Sequence, residues 1–478
     1  MKRSKRLQIL TVVLVVAACA TFGVLHVQER QEAIQNTNEV IMQLDADSVT
    51  ALSWSYDDTS FSFHNDGGSW TYDADENFPV DPEQMEVLLS YFTEMGAAFV
   101  IEEPEDLSQY GLDDPACTIE ITSGEETQTV LLGDYSSMDS QRYVSIGDGN
   151  VYLVTSDPLS AFEVELDALI KNDTIPGFGT VDSIAFEGSD SYDVVYRAYS
   201  EDSTDTYDSE DVYFKQDGDD LAPLDTEKVD QYLDTLSGMS QDTYVTYNAT
   251  EEDLATYGLD DPELSATITY TVSDEDENGE TQETTETFSF ALSRDAATKA
   301  AAAEAGSEET EEEDNEETTT AYVRIGDSSI IYEISESSYE ALMACTYDDL
   351  RHDAVYSGVF TDITQFDVTL DGETYEITSE GEGEERVYRY NDEDLDMSNV
   401  QSALESVTAT GFTDEDAEGE EELALTLHLA GEAVPTLELV FTRVDGDRCL
   451  VTIDGTPTAY VDRSAVIDLA EAFNTIVL

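Results

Sequence analysis

Basic residues are scarce in this sequence. It contains 19 lysine and arginine residues against 109 aspartate and glutamate residues, so its 478 residues carry a formal net charge of −90. Such a surface repels the phosphate groups of nucleic acids and the head groups of anionic lipids. We therefore expect no nucleic-acid partner. The simplest role of the charge is solubility, although divalent cations and basic polymers are compatible with it.

Histidine and cysteine are also rare, with four of each. The histidines lie too far apart in the chain for a zinc-protease motif, and no Ser-His-Asp pattern can be assigned. The three cysteines that follow Cys19 predict neither a disulfide framework nor a CxxC metal site. The sequence therefore identifies no catalytic residue and no bound cofactor.

One long apolar run is present, at residues 7–27, and four basic residues lie in the tip that precedes it, residues 1–6. Twenty-one residues at helical rise span the roughly 30 Å hydrocarbon core of a bilayer. Basic residues stay on the cytoplasmic side of such a helix. We therefore expect a single-pass protein of the cell membrane with a cytoplasmic N-terminus, whose remaining chain is extracellular.

Two alternatives to this anchor follow from the same residues. A secretory signal peptide would have a shorter apolar region and would be removed. Residues 16–19, with the sequence VAAC, resemble the cleavage site of a bacterial lipoprotein, which would be anchored by a lipid on Cys19. The apolar run continues as far as Val27, whereas a lipoprotein becomes polar after its cysteine, and this favours the uncleaved anchor.

Residues 28–45 are polar, with Ile34, Ile41 and Leu44 at roughly helical spacing, and predict a helical stalk. Beyond them, alternating apolar residues predict strands, and each group of strands is interrupted by a helix with an apolar stripe. The fold class predicted is α+β, with an N-terminal transmembrane helix followed by repeated units of antiparallel strands with one or two packed helices.

Three such units are predicted, at residues 46–175, 176–352 and 353–478, the third being divergent. The second unit contains an insertion at residues 295–320, which begins as an alanine-rich helical segment and continues as the acidic run EETEEEDNEETTT. Because this run has almost no apolar side chain to bury, it predicts disorder.

A nearly identical motif marks the first two units, LSQYGLDDP at residues 107–115 and LATYGLDDP at residues 254–262. It predicts a short helical turn that ends at a glycine in the left-handed conformation, followed by a leucine that folds back. We interpret it as a structural joint. Its residues are Tyr110, Gly111, Leu112, Asp113 and Pro115 in the first copy, and Tyr257, Gly258, Leu259, Asp260 and Pro262 in the second.

A second repeated element, YVSIGD at residues 143–148 and YVRIGD at residues 322–327, follows each copy of the motif. The N-terminal anchor, the strands and the Tyr-Gly-Leu signature together resemble the domain-of-unknown-function 4340 family of bacterial membrane-anchored extracytoplasmic proteins. The resemblance implies an envelope protein, in some members an auxiliary component of gliding-motility-type ABC transport systems. It implies no catalytic residues.

One segment suggests a metal ion. Residues 274–279, DEDENG, copy the first half of a calcium-binding loop, which makes Asp274, Asp276 and Asn278 weak candidates for calcium ligands. Thr285 lies where the loop requires a glutamate, and the flanking segments predict strands rather than helices. An acidic hairpin tip is therefore favoured over a calcium site.

These observations favour a non-enzymatic, membrane-anchored scaffold or interaction protein of the bacterial envelope. Its partner would be an unknown envelope protein or a component of an ABC-type transporter. The alternative is an enzyme that acts on an envelope polymer, or a surface protein that binds divalent cations. In that case some of the many carboxylates would be functional.

Overall fold

The computed structural model describes residues 39–188, 190–275, 281–305, 320–370 and 372–477. They form antiparallel sheets with a few helices, so the α+β prediction is confirmed. The chain divides into two compact units between Asn172 and Asp173. No helix in the described ranges is long and apolar enough to cross a membrane, and the predicted anchor at residues 7–27 lies outside those ranges.

The first unit contains one nine-stranded sheet in the order β1-β5-β9-β8-β7-β6-β2-β3-β4. Helix α1 (Pro82–Thr93) buries its apolar stripe, and Phe92 on it packs against Phe162 of the short helix α2 (Leu159–Phe162). The strands are β1 (Glu39–Met42), β2 (Val49–Tyr56), β3 (Thr59–Asp66), β4 (Ser69–Tyr72), β5 (Met95–Ile101), β6 (Cys117–Ser123), β7 (Glu126–Ser136), β8 (Gln141–Ser145) and β9 (Val151–Val154).

The second unit contains two sheets, the first of which begins at β10. Its strands are β10 (Thr180–Gly188), β11 (Tyr192–Tyr196), β12 (Tyr213–Asp217), β13 (Asp220–Pro223), β14 (Tyr244–Thr246), β15 (Leu264–Glu275), β16 (Thr281–Arg294), β17 (Ala321–Ile325) and β18 (Ile331–Ile334). Its helices are α3 (Thr226–Ser237), α4 (Glu251–Thr256), α5 (Ala296–Ala305), α6 (Glu336–Met343) and α7 (Tyr347–Leu350). Helix α5 lies in the predicted insertion, of which residues 306–319 are outside the described ranges.

The other sheet of the second unit closes the chain. Its strands are β19 (Ile363–Leu370), β20 (Glu373–Glu380), β21 (Val387–Tyr390), β22 (Glu393–Asp394), β23 (Ala409–Phe412), β24 (Glu421–Leu429), β25 (Thr436–Arg443), β26 (Arg448–Ile453) and β27 (Thr456–Asp462). Its helices are α8 (Ser398–Glu405) and α9 (Arg463–Val477), and their apolar faces pack into the same core as the inward side chains of the strands.

The two sheets of the second unit have the same strand order. It is β14-β18-β17-β16-β15-β10-β11-β12-β13 in one and β23-β27-β26-β25-β24-β19-β20-β21-β22 in the other. The sheet of the first unit follows this order as well, with β5 at the position of β14 and β4 as the edge strand at the position of β12, while β1 is an added strand that pairs with the outer edge of β5. One topology therefore occurs three times in the chain.

The helical stalk predicted for residues 28–45 is wrong in its described part. Residues Glu39–Met42 form β1, which pairs antiparallel with β5 at the edge of the first sheet. Met42 is buried there, whereas Val40 is exposed. Backbone pairing with β5 and the burial of Met42 outweigh a weak helical periodicity, because tertiary contacts readily override local propensity.

Candidate functional site

The first copy of the repeated motif forms a single 3-10 turn, Leu107–Tyr110, which ends at Gly111. Gly111 has φ +66°, and a Cβ at this position would lie 2.8 Å from the backbone nitrogen of Asp134. The amide of Leu112 donates to the carbonyl of Leu107 at 3.2 Å, and the Leu112 side chain is buried. Glycine is thus required both by the left-handed conformation and by the close approach of β7.

The second copy is built in the same way. Helix α4 begins with a capping box between Thr250 and Asp253, and Gly258 follows the helix with φ +72°. A Cβ on Gly258 would lie 2.4 Å from the carbonyl oxygen of Arg294 at the end of β16. The amide of Leu259 donates to the carbonyl of Leu254 at 2.8 Å. Both copies therefore reverse the chain tightly against a neighbouring strand.

The remaining motif residues lie at the surface of these joints. Asp113 and Asp260 are exposed, and Pro115 and Pro262 are half-buried. The geometry of the motif is that of a structural element.

The weak calcium candidates are only partly described. Asp274 lies on β15, opposite Gln282 of β16, whereas Asp276 and Asn278 are outside the described ranges. Among the residues that the structure describes, no group of three or more histidine, cysteine, aspartate or glutamate side chains is arranged to hold a metal ion.

A cleft of about 310 Å³ lies within the second unit, between its two sheets. One wall is the connection between β11 and β12, residues 197–212. The other is the linker between α7 and β19, residues 351–362. Asp211 and His352 contribute polar groups to these walls. The floor consists of apolar side chains of the linker and the last sheet, namely Val355, Ala409, Phe412, Leu437, Val451 and Ala459.

Two buried carboxylates distinguish this cleft region. Although the chain has 109 acidic residues, Asp208 and Asp211 are the acidic residues found buried in the described ranges, with 6% and 2% of their surface exposed. The Thr206 hydroxyl donates to Asp211 at 2.6 Å and accepts from the amide of Asp208 at 2.9 Å. Burial of a carboxylate is costly unless it is paired, so such sites are candidates for function.

His352 holds the walls of the cleft together. Its Nε2 lies 2.8 Å from an oxygen of Asp211, and its Nδ1 lies 3.7 Å from an oxygen of Asp225, the N-cap residue of α3. Burial acts to lower the pKa of His352. The hydrogen bond to Asp211 and the negative charges of Asp211, Asp225 and Asp208 outweigh this effect and raise the pKa.

The pKa of Asp208 is also raised. The cause is burial of its carboxyl group, together with the negative charge of nearby Asp211. The amide of Glu210 donates to Asp208 at 3.0 Å and opposes this shift. The site therefore places one carboxyl group with a raised pKa beside another that is paired with a histidine.

Further contacts fix the linker against α3, α7 and the last sheet. Lys228 of α3 lies 2.8 Å from a carboxylate oxygen of Asp353 and donates to the carbonyl of Arg351 at 2.9 Å. The guanidinium of Arg351 lies over the rings of Tyr347 and Phe412, at 4.7 and 4.1 Å from their centroids. These contacts leave the cleft with charged groups that are already held in place.

The sequence alone does not reveal this site, because His352 and Asp211 are separated by 141 positions. A signal was nevertheless present in the repeat pattern. In the first sheet β3 and β4 are joined by a tight hairpin, whereas residues 197–212 form a long connection between the corresponding strands β11 and β12. This added connection carries Thr206, Asp208 and Asp211.

Comparison with known proteins gives one family. A family model described as a domain of unknown function, DUF4340, matches residues 70–206 and 215–426. No curated protein and no solved structure matches the chain. The matched ranges include both copies of the repeated motif. The short stretch between the two matched ranges, residues 207–214, carries Asp208 and Asp211.

Proposed function

The chain belongs to the DUF4340 family, and we propose that it is a non-enzymatic interaction protein of the bacterial envelope, anchored in the cell membrane by residues 7–27. Its sheets are extracytoplasmic in this proposal. They bind an envelope component, for which a subunit of an ABC-type transport system is the candidate. The basic N-terminal tip and the length of the apolar run support this topology.

The cleft in the second unit is the observation that carries a binding role. Ligand sites favour concave surfaces between structural modules, with an apolar lining and a few fixed polar groups. The cleft has such a lining, and its buried polar groups are held by the His352–Asp211 pair at 2.8 Å. A rigid polar wall over an apolar floor suits selective binding.

The state of His352 favours binding over catalysis. A general base needs a free ring nitrogen within hydrogen-bond reach of its substrate. Nε2 of His352 is hydrogen-bonded to Asp211 at 2.8 Å, and Nδ1 faces the carboxylate of Asp225 at 3.7 Å. A role for this histidine in attacking an envelope polymer therefore has little support.

The anchor is tested by fractionation of cells that express the full-length chain. We expect the protein to stay in the membrane after carbonate extraction and to be digested by protease added outside the cell membrane. Mass spectrometry should find an intact N-terminus. Recovery from the cytosol would overturn the proposal, and a mature chain that begins at a lipid-modified Cys19 would replace the helix by a lipid anchor.

The binding role is tested by photo-crosslinking in the same cells. A photoreactive amino acid at Phe412, which lines the cleft, should give an adduct with a membrane or envelope protein. The matched control is Val387 on β21 of the same sheet, which is 39% exposed and does not line the cleft. Equal adducts from both positions, or none from either, would contradict a binding role for the cleft.

A further inference from the structure

We propose that the cleft in the second unit binds a small organic ammonium ion that carries a compact apolar group. The ammonium group pairs with the carboxylate of Asp211 in one wall of the cleft, and the apolar group lies on the floor formed by the last sheet. This inference rests on the proposed function, since it names the ligand class of the same cleft.

The size and lining of the cleft limit the size and polarity of the ligand. A volume of about 310 Å³ is at the lower end of known ligand pockets, roughly 300 to 1,000 Å³, so a compact molecule fits better than a polymer chain. Leu437 and Val451 on the floor belong to the buried core of the last sheet. Contact with such side chains favours a ligand with an apolar group.

The charge of the lining determines which charge the ligand carries. Four aspartates line the cleft, Asp205, Asp211, Asp353 and Asp454, against the basic side chains of Arg351 and His352 in the lining and of Lys228, which lies 2.8 Å from Asp353. Because the carboxylates outnumber the basic groups, a bound anion would meet net repulsion and a bound cation would meet net attraction.

The basic side chains are not available to an anionic ligand. The guanidinium of Arg351 lies over the rings of Tyr347 and Phe412 and 3.5 Å from an oxygen of Asp348, and His352 is held by Asp211. The position of Arg351 over Phe412 also shows that an aromatic ring at the cleft accepts a cation on its face.

The arrangement around Asp211 favours an ammonium group over a metal ion. Each of its oxygens accepts one hydrogen bond, from His352 or from Thr206, and a carboxylate can accept further donors. An ammonium group supplies such donors and needs only one carboxylate. A metal ion needs several ligands, and the described residues hold no group of three that could serve.

The test uses the full-length chain in phosphatidylcholine nanodiscs and three probes that share a cyclohexyl ring: cyclohexylammonium, cyclohexanol and cyclohexanecarboxylate. Binding is measured by calorimetry and by saturation-transfer NMR, with empty nanodiscs as the reference. We expect saturable binding of one cyclohexylammonium per chain. The neutral and anionic probes should bind at least about tenfold more weakly, which corresponds to about 1.4 kcal/mol.

Asp211→Asn should weaken the binding of cyclohexylammonium about tenfold or more. The matched control is Asp367→Asn, which removes a carboxylate 2.8 Å from His428, the same distance as in the His352–Asp211 pair but outside the cleft. The control should change binding less than about twofold.

A second variant covers the case in which Asp211→Asn does not fold. Thr458 lines the cleft and is half-buried, so Thr458→Lys places an ammonium group of the chain itself at the site. We expect it to abolish cyclohexylammonium binding while the buried pair stays intact.

Three results would overturn the inference. One is weak, unsaturable binding of cyclohexylammonium that is the same in all variants, which would reflect only the overall charge. Another is equal binding of cyclohexanol and cyclohexylammonium. A chain that stays in the membrane and crosslinks at position 412, but does not bind the ammonium probe, would refute the ligand class and leave the proposed function standing.

Discussion

Tyr110 packs against Tyr143 with 5.0 Å between their ring centroids, and Tyr257 packs against Tyr322 in the same way at 4.6 Å. Tyr110 and Tyr257 belong to the repeated motif, whereas Tyr143 and Tyr322 begin the second repeated element on β8 and β17. The two elements that recur in the sequence therefore contact each other in the fold. This contact explains why they recur together.

Replacement of Tyr110 by leucine should destabilise the first unit by about 0.5 to 1.5 kcal/mol, because the aromatic pair is lost while an apolar side chain remains. Tyr110→Phe keeps the ring and should cost less. Urea unfolding followed by tryptophan fluorescence measures this unit selectively, since Trp54 and Trp70, the two tryptophans of the chain, lie in it.

Tyr257→Leu is the matched control, because it removes the equivalent pair from the second unit. It should leave the tryptophan transition unchanged. If both variants shift that transition equally, the stability of the first unit depends on the second unit. The effect of Tyr110→Leu could then not be attributed to the loss of its own aromatic pair.

Replacement of Gly111 by valine should cost more than replacement of Asp113 by asparagine. The left-handed conformation alone costs about 1 to 3 kcal/mol for a branched residue. The new Cβ would also lie 2.8 Å from the amide nitrogen of Asp134. Asp113 is exposed, so Asp113→Asn should change the tryptophan-monitored stability by less than about 0.5 kcal/mol.

The opposite order would show that the motif is a binding site. In that case Asp113→Asn would abolish a binding activity, and Gly111→Val would preserve both the fold and that activity.

Some of this structure could be predicted from the sequence. Alternating apolar residues indicated antiparallel sheets, because a strand with one buried face has a period of two. The glycine of each motif indicated a tight reversal through its local conformation. Strand β1 was missed because its pairing with β5 depends on residues more than fifty positions away, such as Gly96 opposite Val40.

The cleft could not be predicted for a related reason. In a chain with so many acidic residues, neighbouring carboxylates carry almost no information about which of them is buried. Burial of Asp211 depends on where the linker with His352 lies, and that is decided by packing between distant segments.

Asp208→Asn should raise the stability of the second unit. The raised pKa of Asp208, caused by burial and by Asp211, means that its charged form is disfavoured in the folded protein. Asparagine is neutral and can still accept the hydrogen bond from Glu210. Asp205→Asn, at an exposed position in the same connection, is the control and should have no effect. Lower stability of Asp208→Asn in thermal unfolding at neutral pH would mean that the charge itself is needed.

The second unit should lose stability as the pH rises above about 6.5, the ordinary pKa of histidine. The pKa of His352 is raised in the folded protein, since Asp211, Asp225 and Asp208 favour its protonated form. The protonated histidine therefore contributes its full stabilising free energy at a pH below its pKa in the unfolded chain. This stabilisation is lost as the pH rises through its pKa in the folded protein. The effect is measured by urea unfolding monitored by the near-ultraviolet circular dichroism of tyrosine. The transition of the first unit, known from tryptophan fluorescence, is subtracted from this signal.

His352→Gln should remove this slope, because glutamine can still donate a hydrogen bond to Asp211 but does not titrate. His428→Gln changes the half-buried His428–Asp367 pair of the last sheet, whose nitrogen–oxygen distance is the same 2.8 Å, and should preserve the slope. Stability that increases with pH in this range would contradict the assignment. So would a slope that survives in His352→Gln, since the titrating group would then lie elsewhere in the second unit.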